Sequence, residues 1–140
     1  MPRRMRHLLA AILLLPLLVI SAAGEPIACS APLRPQQVAE LLLGRKTGDR
    51  LGVSETQFLN FLDREITPRF PDGLTVYDAR GQWRDQERNR IVREPSKVVM
   101  IVLPGKPEDL ARLGEVAEAY KKRFKQQSVG IVLRPACVMF

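Results

Sequence analysis

KVVMIVL, Lys97 to Leu103, is the run whose reading decides the fold. Val98, Met100 and Val102 would share one face of an extended strand there, and Val99, Ile101 and Leu103 the other. A strand with one solvated face alternates apolar with polar residues, so a run that is apolar at both sets of positions marks a central strand covered on both sides.

Working upstream, Ile91 to Ser96 extends the same strand, but Pro95 has no N–H to give to a ladder. The stretch Arg84 to Glu94 is therefore expected to project beyond the sheet as a short arm, with Asp85 to Arg90 as its hairpin tip. Its partner strand begins at Leu74 to Tyr77, with Gly81 suggesting a bulge and Gln82-Trp83-Arg84 continuing it. Pro71-Asp72-Gly73 supplies turn chemistry just before. Further upstream, Ser54 and Gln57 make a capping box, with Val53 and Phe58 at the staple positions. Phe58, Leu59, Phe61, Leu62 and Ile66 recur at helical spacing, and Thr67 before Pro68 should end the helix. Gln36 to Arg45 reads as the first strand.

Downstream, Pro107 opens a second helix with Glu108 and Asp109 at its start and Lys121, Lys122, Arg123 and Lys125 at its end, the order that suits the helix dipole. Leu110, Leu113, Val116, Ala117, Tyr120 and Phe124 line its apolar face, and Val129 to Phe140 forms an edge strand marked by Pro135. The order β-α-β-β-α-β predicts an α+β, ferredoxin-like domain: a four-stranded antiparallel sheet with two helices on one face. In that topology the last strand lies beside the first.

The amino terminus reads as a secretory signal peptide over residues 1–23: a basic MPRRMRH, the apolar Leu8 to Ile20, then small residues. The apolar run is short of the roughly 20 residues a spanning helix needs, which disfavours a retained anchor, and nothing later is long enough to span. Residues 24–36 would form an extension and 37–140 the domain. Loss of Arg3, Arg4 and Arg6 takes Lys+Arg from 22 to 19 against 15 Asp+Glu, so the formal charge falls from +7 to +4. That moderate charge argues against a nucleic-acid binder.

The single histidine, His7, lies in the leader. The exported chain would then have no imidazole for a Ser-His-Asp or Cys-His nucleophile, nor the commonest transition-metal ligand. No cofactor or metal site is expected. Cys29 and Cys137 would enter an oxidising compartment, periplasmic or extracellular, and pair. The alternative, lipid anchoring at Cys29 through a lipobox-like Ile27-Ala28-Cys29, is weakened by Pro26 where such motifs place Leu.

TPRFPDGLTV (Thr67 to Val76), GQWRD (Gly81 to Asp85), IVREPSKVV (Ile91 to Val99) and YKKRFKQQSVGIV (Tyr120 to Val132) resemble a bacterial family of small exported proteins catalogued only as a domain of unknown function. The resemblance spans the mature domain and implies export and a single domain. It carries over no activity and no catalytic residue.

Candidate ligand-binding residues gather at the arm end: Trp83, Arg84, Arg93, Glu94 and Lys97, with Arg123 nearby on the second helix. Arginine forks hold carboxylate or phosphate, and an aromatic plane beside them offers a stacking surface. Cross-strand salt bridging on an exposed hairpin is the plainer account of the same residues. At the cysteine end, Arg69 and Asp72 are secondary candidates within a segment that turn geometry largely explains. These residues suggest an exported module that binds an anionic small molecule or an acidic partner. One alternative is a cofactor-free enzyme with Asp72, Asp85 or Glu94 as general base and an arginine stabilising charge. Another is a homodimer formed through the apolar second face of the sheet, which two helices on one side leave open unless Ala31 to Gln37 cover it.

Overall fold

The computed structural model describes residues 27–140, so the expected leader lies outside the described residues. The elements are β1 (Arg34–Gly44), the short hairpin strands β2 (Lys46–Thr47) and β3 (Arg50–Leu51), α1 (Glu55–Phe61) continued by a π-helical turn (Leu62–Ile66), β4 (Thr75–Asp85), β5 (Arg90–Leu103), α2 (Asp109–Phe124) and β6 (Gly130–Val138). The four long strands form an antiparallel sheet in the order β4-β5-β1-β6, the ferredoxin-like arrangement. β1 starts at Arg34, so residues 34–36, read as extension, belong to the sheet and pair with Val138 to Ala136.

The central run is covered on one face only. Val99, Ile101 and Leu103 are at most 2% exposed and share a core with Ala39, Leu41 and Leu43 of β1 and with Phe58, Phe61, Ile66, Leu113, Val116, Tyr120 and Phe124 from the helical layer. Each such large apolar side chain contributes roughly 1.5–3 kcal/mol by leaving water. Val98, Met100 and Val102 point to the other face and are half-buried. Of the segment Ala31 to Gln37, residues 34–37 do not cover that face, because from Arg34 onward the chain lies in the plane of the sheet.

The capping box forms as the sequence implies: Ser54 Oγ accepts from the Gln57 N–H at 3.2 Å, and Gln57 Oε1 accepts from the Ser54 N–H at 2.8 Å. Val53 and Phe58 are fully buried beside it. Leu59 and Leu110, placed on the apolar faces by spacing, are exposed instead, at 47% and 58%. The helix ends at Thr67 as the sequence implies, with Thr67 as its C-cap, but the residue keeps right-handed helical dihedrals and donates to Leu62 O at 2.9 Å, five residues back. The preference against helix before proline is local, and burial of Ile66 and Phe70 on either side of Pro68 overrides it here.

Pro95 explains where the arm begins. The Arg45 N–H donates to Pro95 O at 3.1 Å, but proline has no N–H to return. Arg45 O instead accepts from Gly52 and Val53, at 2.8 and 3.1 Å, and β1 turns away into the β2–β3 hairpin. β4 and β5 run on together without it, in unbroken register from Thr75↔Met100 to Asp85↔Arg90. There is accordingly no bulge at Gly81. The glycine provides clearance, since a Cβ there would come within 3.0 Å of Ser96 Oγ. At the opposite end of the sheet, Cys29 and Cys137 are joined in a disulfide with Cα atoms 5.6 Å apart.

Candidate functional site

Side chains alternate along a strand, and that alternation divides the residues proposed for the arm. The register places Arg80↔Pro95, Gln82↔Arg93 and Arg84↔Ile91 on the same side of the ribbon as Lys97 and Val99. Gly81↔Glu94 and Trp83↔Val92 fall on the other side. Arg84, Arg93 and Lys97 therefore share one face, while Trp83 and Glu94 share the opposite one. The clamp of arginines beside a tryptophan plane does not assemble.

Lys97 is also occupied. Only 4% exposed, its ammonium lies 2.7 Å from Glu55 Oε1, 2.7 Å from Asp78 Oδ1, and 5.2 Å above the Phe58 ring. Glu55 reaches on to Arg45 at 3.1 Å, and Arg45 Nε donates to Val53 O at 2.9 Å. Two cations and two carboxylates thus close a network under the first turn of α1. Burial works against the charge on Lys97, but its hydrogen bonds to Asp78 and Glu55 prevail and raise its pKa above the usual 10.5. The hydrogen bond from Lys97 in turn holds the Asp78 carboxyl below its ordinary 3.8.

Glu94 has a structural partner as well. Its Oε2 accepts from the Lys46 N–H at 3.1 Å, and a Cβ on Gly44 would come within 2.8 Å of that oxygen. The same Gly44 presents its carbonyl to the Tyr120 hydroxyl at 2.9 Å. Burial drives the Tyr120 phenol far above its usual range. Thr47 and Gln126 fasten the β2–β3 hairpin to the end of α2 through Phe124 O and Lys46 O.

On the arm, Arg84 donates to Asn89 Oδ1 at 2.6 Å, Arg88 lies 3.9 Å from Asp85, and Arg90 bonds Asp49 of the β2–β3 turn at 2.5 Å. Arg90 thereby lowers the Asp49 pKa from 3.8. Among the described residues, Arg80, Arg84 and Arg93 make no ion pair. All three are exposed, on one face, at cross-strand neighbouring positions where no helix covers the ribbon. An open depression of about 550 Å³ nearer the hairpin tip is lined by Gln82, Trp83, Arg84, Asn89, Arg90 and Ile91, and of the three arginines takes in Arg84 alone. Arg80 is absent from the sequence reading, although its even spacing from Arg84 along a strand is a period-two signal that would have found it.

The secondary candidates lie elsewhere. Arg69 is engaged by Glu65 at 3.0 Å and Glu115 at 3.2 Å, and also donates to Glu65 O. Asp72 is exposed in the turn before β4. Arg123 lies over the Phe124 ring, 5.6 Å from its centroid, at the end of α2. Among the described residues, no three His, Cys, Asp or Glu side chains gather as metal ligands, and no helix is long and apolar enough to cross a membrane.

The sheet order, the helical layer on one face and the uncompensated cations on a projecting hairpin define a small ferredoxin-like α+β domain with an arginine-faced arm. The chain belongs to the family described as "Protein of unknown function (DUF3574)", whose model matches residues 38–140. No curated protein matches it. Among solved structures it is similar to a phage SAM lyase in complex with S-methyl-5′-thioadenosine, at 18% identity and a TM-score of 0.59 over 75% of this chain and 90% of that one. The same lyase in its apo state gives a TM-score of 0.55 at 18% identity, over 76% and 90%. CutA from Synechococcus elongatus gives 0.50 at 7% identity, over 76% and 84%. These likenesses show the fold.

Proposed function

We propose that this domain is an exported binding module whose arm takes an anionic small molecule or an acidic partner on the face formed by Arg80, Arg84 and Arg93. One observation carries the reading: among the described residues, the exposed Arg80, Arg84 and Arg93 have no carboxylate partner and sit at neighbouring cross-strand positions on one face of the ribbon, whereas the other arginines without an ion pair, Arg34, Arg50, Arg64 and Arg123, lie on separate elements. Unpaired like charges in a row repel one another, and a bound carboxylate or phosphate relieves that repulsion through charge-assisted bonds worth roughly 1.5–3 kcal/mol each. The disulfide fits an oxidising destination. The phage lyase is an instance of this fold holding a small molecule, S-methyl-5′-thioadenosine, which carries no anionic group and so serves as a neutral control.

The test is the melting temperature of wild type and of Arg84→Gln/Arg93→Gln across carboxylates, phosphates and sulfate at constant ionic strength. A specific ligand stabilises by mass action in proportion to the logarithm of its concentration above Kd, whereas sulfate also stabilises generally by exclusion. An anion whose effect disappears in the double variant supports the reading, and equal responses of both proteins to every anion refute it.

A second reading, self-association through the open sheet face, rests on the exposed Leu42, Tyr77 and Val132, at 42%, 38% and 42%, around the half-buried Val98, Met100 and Val102. A charge at Leu42 (Leu42→Asp) would dissociate such a dimer in light scattering. A wild type that is monomeric at micromolar concentration removes the reading.

A further inference from the structure

The two outer edges of the sheet differ. The β4 edge carries Asp78, Arg80, Arg84 and Asp85, charges of the kind that blunt an edge against pairing. The β6 edge presents Ile131, Val132 and Leu133, three consecutive apolar residues each about 40% exposed, and its one charge, Arg134, is paired with Glu40 of β1 at 3.0 Å.

Backbone parity shows which groups of β6 are free. Arg45 donates to Pro95, so the odd-numbered residues of β1 serve β5 and the even-numbered ones serve β6. The β1–β6 register joins even to even, as in Val38↔Arg134 and Glu40↔Val132. Odd residues of β6 therefore turn their backbone outward. Pro135 is among them, in agreement with the rule that an edge proline faces its missing N–H away from the sheet. Ile131 and Leu133 are the residues just before it whose N–H and C=O groups have no strand beside them among the described residues.

We propose that this edge pairs antiparallel with the same edge of a second copy, about a two-fold axis through Val132. A partner strand there must be apolar on both faces and bring no cation opposite Arg134. Among the described strands, β5 has such a run but is enclosed between β1 and β4, which leaves β6 itself. With the axis at Val132, Ile131 meets the partner's Leu133 and Leu133 the partner's Ile131, each as a hydrogen-bonded pair exchanging two bonds. Arg134 falls opposite the partner's Gly130, so no like charges meet, and Pro135 lies beyond the paired segment. The contact is isologous and closed, and it uses the edge, not the open face.

Light scattering and sedimentation of the disulfide-bonded protein should show a concentration-dependent dimer. Leu133→Pro removes an outward N–H that the β1–β6 ladder does not use, and should raise the dimer dissociation constant by on the order of tenfold or more. Val132→Cys should form an intermolecular disulfide across the axis, where non-hydrogen-bonded Cα atoms approach to about 4.5 Å. Arg134→Cys should not, and Leu42→Asp on the open face should leave this dimer intact. A wild type monomeric at all concentrations overturns the proposal. So does an oligomer that survives Leu133→Pro and fails to cross-link through Val132→Cys, or one that Leu42→Asp dissociates.

Discussion

The two ends of the sheet differ in how their unpaired cations are arranged. At the disulfide end, Arg69 lies between Glu65 and Glu115 and Arg112 is paired with Glu108, and the exposed Arg34, Arg64 and Lys106, which make no ion pair among the described residues, are scattered over separate segments of the chain. At the arm end, cations near the core are equally well paired, Lys97 by two carboxylates and Arg45 by one, but the arm beyond them carries Arg80, Arg84 and Arg93 without a counter-ion. The boundary falls at Pro95, where β1 leaves the sheet and the helical layer ends. Basic residues beneath α1 are structural, and on the arm Arg88 and Arg90 are paired while Arg80, Arg84 and Arg93 are not.

The largest effect that would sharpen this contrast is at the disulfide end. Replacing both cysteines (Cys29→Ser/Cys137→Ser) opens a loop spanning 108 residues and should lower stability by up to about 4–5 kcal/mol on the chain-entropy model. Denaturant unfolding would measure it. Anion binding to the arm should persist wherever the variant is still folded, and its loss there would show that the two ends are not independent.

Next in size is Tyr120→Phe, which strips the Gly44 carbonyl of its hydroxyl donor where β1 ends. Leaving a buried acceptor unmet costs roughly 1–3 kcal/mol, and the half-buried Gly44 carbonyl should fall at the low end of that range. A change indistinguishable from zero would mean that water replaces the hydroxyl and that the arm's base is looser than described.

Lys97→Met tests the paired cations by pH. The raised Lys97 pKa stabilises the fold below 10.5, and that contribution is lost as pH rises through the folded value; the lowered Asp78 pKa stabilises above 3.8, and that contribution is lost as pH falls through the folded value. Wild-type melting temperature should therefore decline outside that window more steeply than that of Lys97→Met on both limbs. The Asp49–Arg90 contribution to the acid limb remains in both proteins. Identical profiles would contradict the network.

Much of this was legible in the residues. KVVMIVL located an interior strand, Ser54 and Gln57 the start of α1, Pro95 the arm, and the two cysteines their bond, because each signal is local or follows from topology. The apolar residues of the run taken alone imply a strand covered on both sides, and it is the topology, with two helices on one face, that points to the second face staying open. Lys97 looked like a free ligand because its partner Glu55 stands 42 residues away in sequence on another element. Trp83 and Arg84 were grouped by proximity in sequence, although adjacent residues on a strand face opposite ways. Gly81 was read as a bulge when its role is clearance for Ser96, a cross-strand contact that composition does not reveal.

The smallest effect on stability is expected from the residues given the binding role. Arg80→Gln/Arg84→Gln/Arg93→Gln should leave ligand-free melting unchanged or raise it slightly, because exposed side chains without ion-pair partners contribute little, the exposed Arg84 bond to Asn89 included, and their mutual repulsion is removed. A clear loss of stability would mean that the arm arginines hold the fold together and belong with Arg45 and Lys97.

The central claim is that Arg80, Arg84 and Arg93 act together on one anion, and arginine side-chain Nε–Hε resonances report on it directly. During titration with the anion selected by melting, at constant ionic strength, these three signals should shift and saturate with a common Kd while those of Arg45 and Arg69 stay in place. Shifts that grow without saturation at every exposed arginine, or that are absent from the arm, would contradict the account.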